Sequence, residues 1–284
     1  MTKLESIISL IRLDKPIGIY LVLWPALWSL FLSADGLPDI KLILIFIAGA
    51  TLMRSAGCAI NDYADRKIDR SVPRTSHRPL ALGQLAKKDA IIVAGILIFL
   101  SFLLALNLPL LSILWSVPAL VFAIIYPFTK RFFAVPQLFL GLAFAMAVPM
   151  AFFATENNSS FLVMFLVFLA TVFWAIAYDT LYAMADKPYD IKIKVKSSAI
   201  FFGKYDLFFV LSFHFLSLFS LAFVGVLQQL NICFYIILSM VLIGILYQLY
   251  LAKNREPATC IKAFLFNNYQ GALILAAIII GLIK

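Results

Sequence analysis

The stretch "LILIFIAGATLMRSAGCAINDYADRKID", residues 42–69, joins two very different kinds of chemistry. Its first half is almost entirely apolar and belongs to a run that can cross a hydrocarbon core, which takes about 20 residues as a helix. Its second half carries Asn61, Asp62, Asp65 and Asp69. Carboxylates at a membrane boundary are costly and are usually functional. The stretch therefore predicts a transmembrane helix that ends in a polar site.

The rest of the composition agrees with a membrane setting. Of 284 residues, 64% are hydrophobic and 13% are charged, and the mean hydropathy is +1.02. Soluble domains are much less apolar, and runs of this length in lipid favour helices. We predict an all-α, polytopic membrane protein whose nine transmembrane helices form a bundle with a central cavity, as a single domain over residues 1–284. The predicted spans are residues 16–34, 40–60, 89–107, 109–126, 136–154, 160–180, 206–227, 231–251 and 264–283.

The positive charge sorts to one side of this arrangement. With the amino terminus in the cytoplasm, nearly all lysines and arginines fall before the first helix or after the even-numbered helices, and only Lys41 and Lys284 fall on the other side. Such an excess is typical of cytoplasmic segments, and it explains the net charge of +9 without a nucleic-acid partner. We therefore expect a bacterial inner-membrane protein with a cytoplasmic amino terminus, cytoplasmic active-site loops and an external carboxyl terminus.

Two of the cytoplasmic loops, about residues 62–88 and 179–205, are longer than a helix connection needs. Long loops in compact helical proteins are usually functional. Each begins with an acidic cluster, and "ADRKID" (residues 64–69) matches "ADKPYD" (residues 185–190) in the spacing of its aspartates. The repetition makes it hard to treat either cluster as an ordinary solvated helix end.

Spacings of four and seven residues place side chains on one face of a helix, so each cluster predicts an acidic stripe. Carboxylate and amide oxygens are the ligands that suit a hard cation such as Mg²⁺, which completes its shell with water and phosphate. Two facing stripes predict Mg²⁺ ions that hold a diphosphate; the alternative is two solvated acidic helix ends. The predicted metal ligands are Asn61, Asp65 and Asp69 in the first stripe and Asp179, Asp186 and Asp190 in the second.

Cationic and phenolic side chains on the same predicted face are candidates for binding phosphate oxygens. Taken singly, each of these lysines and arginines is equally explained by the general excess of positive charge in cytoplasmic loops. Arg74 and Arg78 are the stronger candidates because they follow the first stripe closely. The predicted substrate ligands of this kind are Arg74, Arg78, Tyr126, Lys130 and Lys196.

Arg54 lies seven residues before Asn61, on the same helix face but nearly two turns deeper in the membrane. An arginine at that depth is expensive and is expected to have a partner. The partner is either one of the aspartates or a carboxylate of the substrate, which a guanidinium binds through two parallel hydrogen bonds.

These residues resemble the UbiA-type intramembrane prenyltransferases over essentially the whole chain. That family carries N-x-x-x-D-x-x-x-D after its second helix and D-x-x-x-D after its sixth, within nine helices; here these are Asn61-Asp65-Asp69 and Asp186-Asp190. The resemblance implies catalytic roles for these four aspartates and for Arg54, with Mg²⁺ as cofactor. Pro188, between the last two aspartates, departs from the family pattern.

Within the family, "LDKPIGIYLVLWPALWSL" (residues 13–30), residues 53–83 and "YPFTKR" (residues 126–131) are most similar to the members that prenylate 4-hydroxybenzoate. The resemblance implies transfer of a polyprenyl group from polyprenyl diphosphate to the ring carbon ortho to the hydroxyl, in ubiquinone biosynthesis, with Arg54 on the benzoate carboxylate. The lipid bilayer would take the isoprenoid tail. Two alternatives remain: another acceptor within the family, such as a naphthoate or haem, and a cation transporter.

Overall fold

A computed structural model of the chain describes residues 2–155 and 160–283. The external link predicted around residues 156–159, and Lys284, lie outside the described residues. Within these ranges the regular elements are all helical. They are α1 (Lys3–Leu10), α2 (Ile17–Ala34), α3 (Ile40–Asp65), α4 (Pro79–Leu82), α5 (Lys87–Ala105), α6 (Leu110–Thr129), α7 (Gln137–Ala145), α8 (Ala147–Phe152), α9 (Phe161–Lys192), α10 (Ser198–Phe202), α11 (Asp206–Leu227), α12 (Ile232–Ala252) and α13 (Pro257–Gly281), with short 3₁₀ turns at Asp69–Ser71 and Gly203–Tyr205.

The predicted all-α transmembrane bundle is confirmed. In the part of the chain that the structure describes, eight helical segments are long and apolar enough to cross a membrane. The fifth predicted span, residues 136–154, differs, because it is divided at Met146 into the short helices α7 and α8. Pro149 has no N–H to donate to the carbonyl of Ala145, which explains a break at this point.

Helices α2 and α9 form the centre of the bundle. In their most apolar windows 67% and 61% of the residues are buried, against 17% in α5 and 11% in α6. Trp28 and Trp174 join the two central helices, with ring centroids 5.1 Å apart. The indole nitrogens of both rings then donate to α13, to the Gly271 carbonyl at 3.0 Å and to Asn267 Oδ1 at 3.1 Å. Buried indoles need such partners, and these ones lock three helices together.

Helix α9 extends much further than the predicted span, to Lys192. About half of the predicted loop over residues 179–205 is therefore part of α9, and Asp179, Asp186 and Asp190 lie on one continuous helix. Pro188 lies inside it and cannot donate a hydrogen bond to the carbonyl of Met184, four residues earlier. Proline signals a helix end from sequence alone, but the packing of α9 against its neighbours overrides that local preference.

Helix α3 also extends beyond the predicted boundary, but it ends at Asp65. Asp69 begins the 3₁₀ turn Asp69–Ser71 instead of continuing the helix. The prediction that Asn61, Asp65 and Asp69 share one helical face is therefore wrong for Asp69. Its position is set by a tertiary contact that the spacing does not encode.

Candidate active site

A polar cavity of about 550 Å³, which opens to solvent, lies where α3, α6, α7 and α9 meet. Seven of the residues predicted as ligands of metal or phosphate border it: five lie in α3, α6 and α9, and the other two are Lys130, directly after α6, and Lys196, in the segment that follows α9. The polar side chains that line the cavity are Asn61, Tyr126, Lys130, Gln137, Asp179, Tyr182, Asp186, Asp190, Lys196 and Ser197. The structure thus brings the whole of the second predicted acidic stripe and Asn61 of the first to one place, whereas Asp65 and Asp69 are not part of the cavity lining.

The second stripe is held by an arginine from the loop after α3. Arg74 donates to both oxygens of Asp186, with Nε 2.9 Å from Oδ1, and its Cζ lies 4.5 Å from the centre of the Tyr182 ring. Burial by itself lowers the pKa of the Arg74 guanidinium, but Tyr182 and Asp186 outweigh it, so the pKa is raised above its ordinary value. Arg74 therefore remains a cation at the rim of the cavity.

The first stripe is paired with cations that follow α6. Lys130 donates to Asp65 Oδ2, and Arg131 Nη2 lies 3.8 Å from Asp65 Oδ1. That Oδ1 atom is buried and has no hydrogen-bond partner among the described residues. A buried carboxylate oxygen without a donor is costly, which makes this atom a natural ligand position.

Asp69 reaches the same region through Arg78, whose Nη1 donates to its two carboxylate oxygens at 2.9 and 3.1 Å. The same Nη1 lies 3.0 Å from Asp62 Oδ1, which also accepts from Arg12 Nη2 at 2.8 Å. Burial lowers the pKa of Arg78, but Asp62 and Asp69 outweigh it and the pKa is raised. Asp62, which the stripe pattern leaves unexplained, thus joins the amino-terminal segment to the loop that carries Arg74.

An apolar cavity of about 1240 Å³ lies beside the polar one, between α2, α3, α5, α6, α7 and α8. Small residues, among them Gly49, Ala50, Ala119 and Ala123, form much of its wall and leave a wide channel for a hydrocarbon. Tyr126 borders both cavities. A polar chamber and an apolar chamber therefore meet at one side chain.

Arg54 borders the apolar cavity from α3, with its Cζ 6.0 Å from the centre of the Phe144 ring. Its Nε is buried and has no hydrogen-bond partner, and within residues 2–155 and 160–283 the guanidinium forms no ion pair with a carboxylate. No aspartate among the described residues therefore makes a direct ion pair with Arg54, although Asp179 is near enough for the two charges to interact. A buried guanidinium nitrogen without a hydrogen-bond partner is expensive, and the free Nε of Arg54 points to an external anion.

Lys196 makes its hydrogen bonds to the loop after α6 and not to the aspartates. Its backbone N–H donates to the Lys130 carbonyl at 2.8 Å, and its Nζ donates to the Phe132 carbonyl at 2.8 Å. The lysine thereby fixes the segment that presents Lys130 to Asp65.

Sequence reasoning missed three residues at the polar cavity, Gln137, Tyr182 and Ser197. Tyr182 lies three residues after Asp179 and four before Asp186, so helical spacing would have placed it on the acidic face. Gln137 and Ser197 carry no comparable signal, because they begin an apolar helix and lie in a connecting segment.

The carboxylate and amide side chains at the site are of the chemical type that binds a divalent cation. Among the residues that the structure describes, no three carboxylate, imidazole or thiol side chains converge closely enough to form a closed metal site. Open sites of this type are nonetheless characteristic of Mg²⁺, which takes one or two carboxylates and leaves positions for water and phosphate. Oxygen ligands alone, from Asp and Asn, suit such a hard ion.

The family model for the UbiA prenyltransferase family matches residues 22–269 of the chain. That match spans both acidic stripes and every helix from α3 to α12, together with most of α2 and the first half of α13. The chain belongs to the UbiA prenyltransferase family.

Curated relatives cover almost the full length. A 4-hydroxybenzoate octaprenyltransferase of Nitrosomonas eutropha is 53% identical over 271 residues, which are 95% of this chain and 94% of that one. Another protein of that name, from Aeromonas hydrophila, is 46% identical over 274 residues, with 96% and 95% covered. The likeness therefore extends over the whole bundle.

Solved structures share the fold at lower identity. A UbiA homologue from Aeropyrum pernix superposes with a TM-score of 0.80 at 24% identity, over 92% of this chain and 97% of that one. A UbiA homologue from Archaeoglobus fulgidus, bound to GPP and Mg²⁺, gives a TM-score of 0.75 at 18% identity, over 96% and 99%. These likenesses establish the fold of the bundle.

Proposed function

We propose that this protein transfers a polyprenyl group from polyprenyl diphosphate to the ring carbon ortho to the hydroxyl of 4-hydroxybenzoate, in ubiquinone biosynthesis. The observation that carries the proposal is the junction of the two cavities at Tyr126. A polar chamber lined by carboxylates and cations matches a metal-bound diphosphate, and the adjoining apolar chamber matches an isoprenoid tail. The names of the curated relatives give the same donor class and acceptor.

In this proposal the diphosphate lies among cations of the polar cavity, where Arg74, Lys130 and Lys196 contact its oxygens and Arg78 holds Asp69 in place. Mg²⁺ held there would neutralise the charge that develops on the leaving diphosphate as the carbon–oxygen bond breaks. The residues that would hold it are Asn61, Asp65, Asp69, Asp179, Asp186 and Asp190. The arginines add fixed positive charge that need not reorganise during the step.

The broken bond leaves an allylic carbocation, which water would capture. The apolar cavity surrounds the donor carbon with aliphatic and aromatic side chains, among them Tyr126 and Phe144. Attack by the ring carbon ortho to the phenol forms the new carbon–carbon bond, and loss of the proton from that carbon restores the aromatic ring. Exclusion of water from this space is the contribution of the bundle.

Arg54 holds the acceptor carboxylate in this account. Its unpaired, buried Nε and its position at the wall of the apolar cavity support that role. A bidentate guanidinium–carboxylate pair would orient the benzoate ring and keep its opposite end toward the donor carbon.

The whole chain, residues 1–284, acts as one transmembrane domain in this proposal. The excess of lysine and arginine on one side supports a cytoplasmic amino terminus and cytoplasmic active-site loops. Bacterial relatives support an inner-membrane location.

An acceptor competition tests the proposal. Purified protein in lipid vesicles receives a polyprenyl diphosphate, Mg²⁺ and equal amounts of 4-hydroxybenzoate and 1,4-dihydroxy-2-naphthoate, and the products are identified by mass. We expect the benzoate product to dominate and to disappear when EDTA removes Mg²⁺. A product from the naphthoate alone would assign the protein to another branch of the family.

A further inference from the structure

A buried carboxylate contacts α9 through Lys187 and lies outside both cavities. Asp206, at the start of α11, is fully buried. Arg255, in the link between α12 and α13, donates to both of its oxygens, with Nη2 at 2.7 Å from Oδ1 and Nε at 3.1 Å from Oδ2. A buried carboxylate is tolerated only when it is paired in this way.

Lys187 of α9 makes the second ion pair of Asp206, with Nζ 3.4 Å from Oδ2, and the same Nζ donates to the Gly203 carbonyl at 2.9 Å. Lys187 follows Asp186 directly, so its side chain leaves the helix about 100° away from that carboxylate. It therefore anchors the back of the helix while Asp186 faces the cavity. The three residues Lys187, Asp206 and Arg255 are called the α9 anchor below.

The anchored segment is weakened by its own sequence. Pro188, which lies between Asp186 and Asp190, removes the backbone hydrogen bond that a residue there would donate to the Met184 carbonyl. A helix interrupted in this way opens locally more easily than a continuous one. The anchor attaches to Lys187, the residue directly before the proline, and so adds a tertiary contact where the backbone bond is lost.

We infer that Asp206 is a positioning residue, which acts through Lys187 to hold the end of α9 and thereby the spacing of Asp186 and Asp190. Asp206 does not contact substrate in this account. Arg255 holds the Asp206 carboxylate in its orientation. The anchor makes the proline between the two aspartates compatible with a fixed ligand geometry.

Hydrogen exchange tests the anchor without reference to catalysis. Lys187→Met keeps the aliphatic stem and removes the charge. Amides at residues 189–193 should then exchange at least about 10-fold faster than in the wild type, while amides in the middle of α9 stay unchanged. Lys187→Arg should restore protection. Lys192→Met, at the end of the same helix and outside the anchor, is the matched control and should not change exchange there.

The proline allows a second test, which distinguishes the proposed role of Lys187 from a general contribution to stability. Pro188→Ala restores the backbone N–H, so in the Lys187→Met background it should return most of the lost protection at residues 189–193. Unchanged exchange in Lys187→Met, or no recovery on adding Pro188→Ala, would overturn the inference.

The α9 anchor also predicts a kinetic effect, and this prediction rests on the proposed function. Because groups that orient metal ligands typically affect metal affinity by 10–100-fold, Lys187→Met should raise the half-saturating Mg²⁺ concentration about 10-fold. The kcat at saturating Mg²⁺ should stay within about 3-fold of the wild type. If exchange responds as expected but the protein lacks prenyltransferase activity, the proposed function fails while the anchor stands.

Discussion

The guanidinium of Arg54 lies directly against the backbone of Gly18, so that a Cβ at Gly18 would come within 2.2 Å of Arg54 Nε. No side chain larger than hydrogen fits between α2 and this arginine unless the arginine moves. Gly18 lies in "KPIGIY", residues 15–20, far from either acidic stripe. The absence of a side chain at Gly18 therefore determines the position of the Arg54 guanidinium.

Gly18→Ala should displace Arg54 and weaken binding of the aromatic acid. Because misplacing a binding group by about 1 Å can cost up to 10²-fold, we expect the KM for 4-hydroxybenzoate to rise at least about 10-fold. The KM for polyprenyl diphosphate should change little. Gly95→Ala is the control, since a Cβ there meets nothing within 4 Å. Equal effects of both substitutions would remove the link between Gly18 and the acceptor.

Arg54→Met should abolish the preference for an acidic acceptor. A hydrogen bond to a charged group contributes roughly 1.5–3 kcal/mol, so kcat/KM for 4-hydroxybenzoate should fall about 10–100-fold. For the uncharged 4-hydroxybenzamide, kcat/KM should fall much less. Measuring kcat/KM for both acceptors with the wild type and the variant gives the difference. A loss that is the same for both acceptors, or that falls on the diphosphate KM, would place Arg54 elsewhere in the mechanism.

Asp65→Asn and Asp190→Asn keep the shape of each side chain and remove its charge. Each should lower kcat by more than about 10²-fold, because the leaving group loses electrostatic stabilisation. Circular dichroism should remain that of a folded helical bundle. The exposed Asp14 provides the control, and Asp14→Asn should leave turnover unchanged. Near-normal activity in both site variants would refute the metal-binding role of the stripes.

Asp62→Ala should destabilise the fold more than it impairs Mg²⁺ use. The substitution leaves Arg12 and Arg78 without their shared acceptor, and breaking a buried ion pair costs roughly 3–5 kcal/mol. We expect a clearly lower thermal denaturation midpoint in detergent, with the half-saturating Mg²⁺ concentration within about 2-fold of the wild type. A normal midpoint combined with loss of Mg²⁺ response would make Asp62 a metal ligand instead.

The fold class and the location of the site could be predicted from sequence because both depend on local patterns. Apolar runs determine which segments enter the membrane, and the spacing from Asp179 to Asp186 and Asp190 determines a helix face. Tyr126 and Lys130 were found by their place beside the predicted cytoplasmic face, and both border the polar cavity.

What the sequence did not predict depends on tertiary contacts. The helix boundary at Asp65 removes Asp69 from the predicted stripe, and its carboxylate is bound by Arg78 instead. The sixth predicted span ends at residue 180, but packing carries α9 through Pro188 to Lys192. The contact between Gly18 and Arg54 joins residues from two helices, and no periodicity in either one indicates it.

The most direct measurement of the central claim is the structure of the product from purified protein, 4-hydroxybenzoate, a polyprenyl diphosphate and Mg²⁺. Proton NMR and mass should show one prenyl group on the ring carbon ortho to the hydroxyl, with three aromatic protons remaining and the phenol and carboxylate intact. A prenyl ether or ester, or release of diphosphate with no prenylated benzoate, would contradict the account.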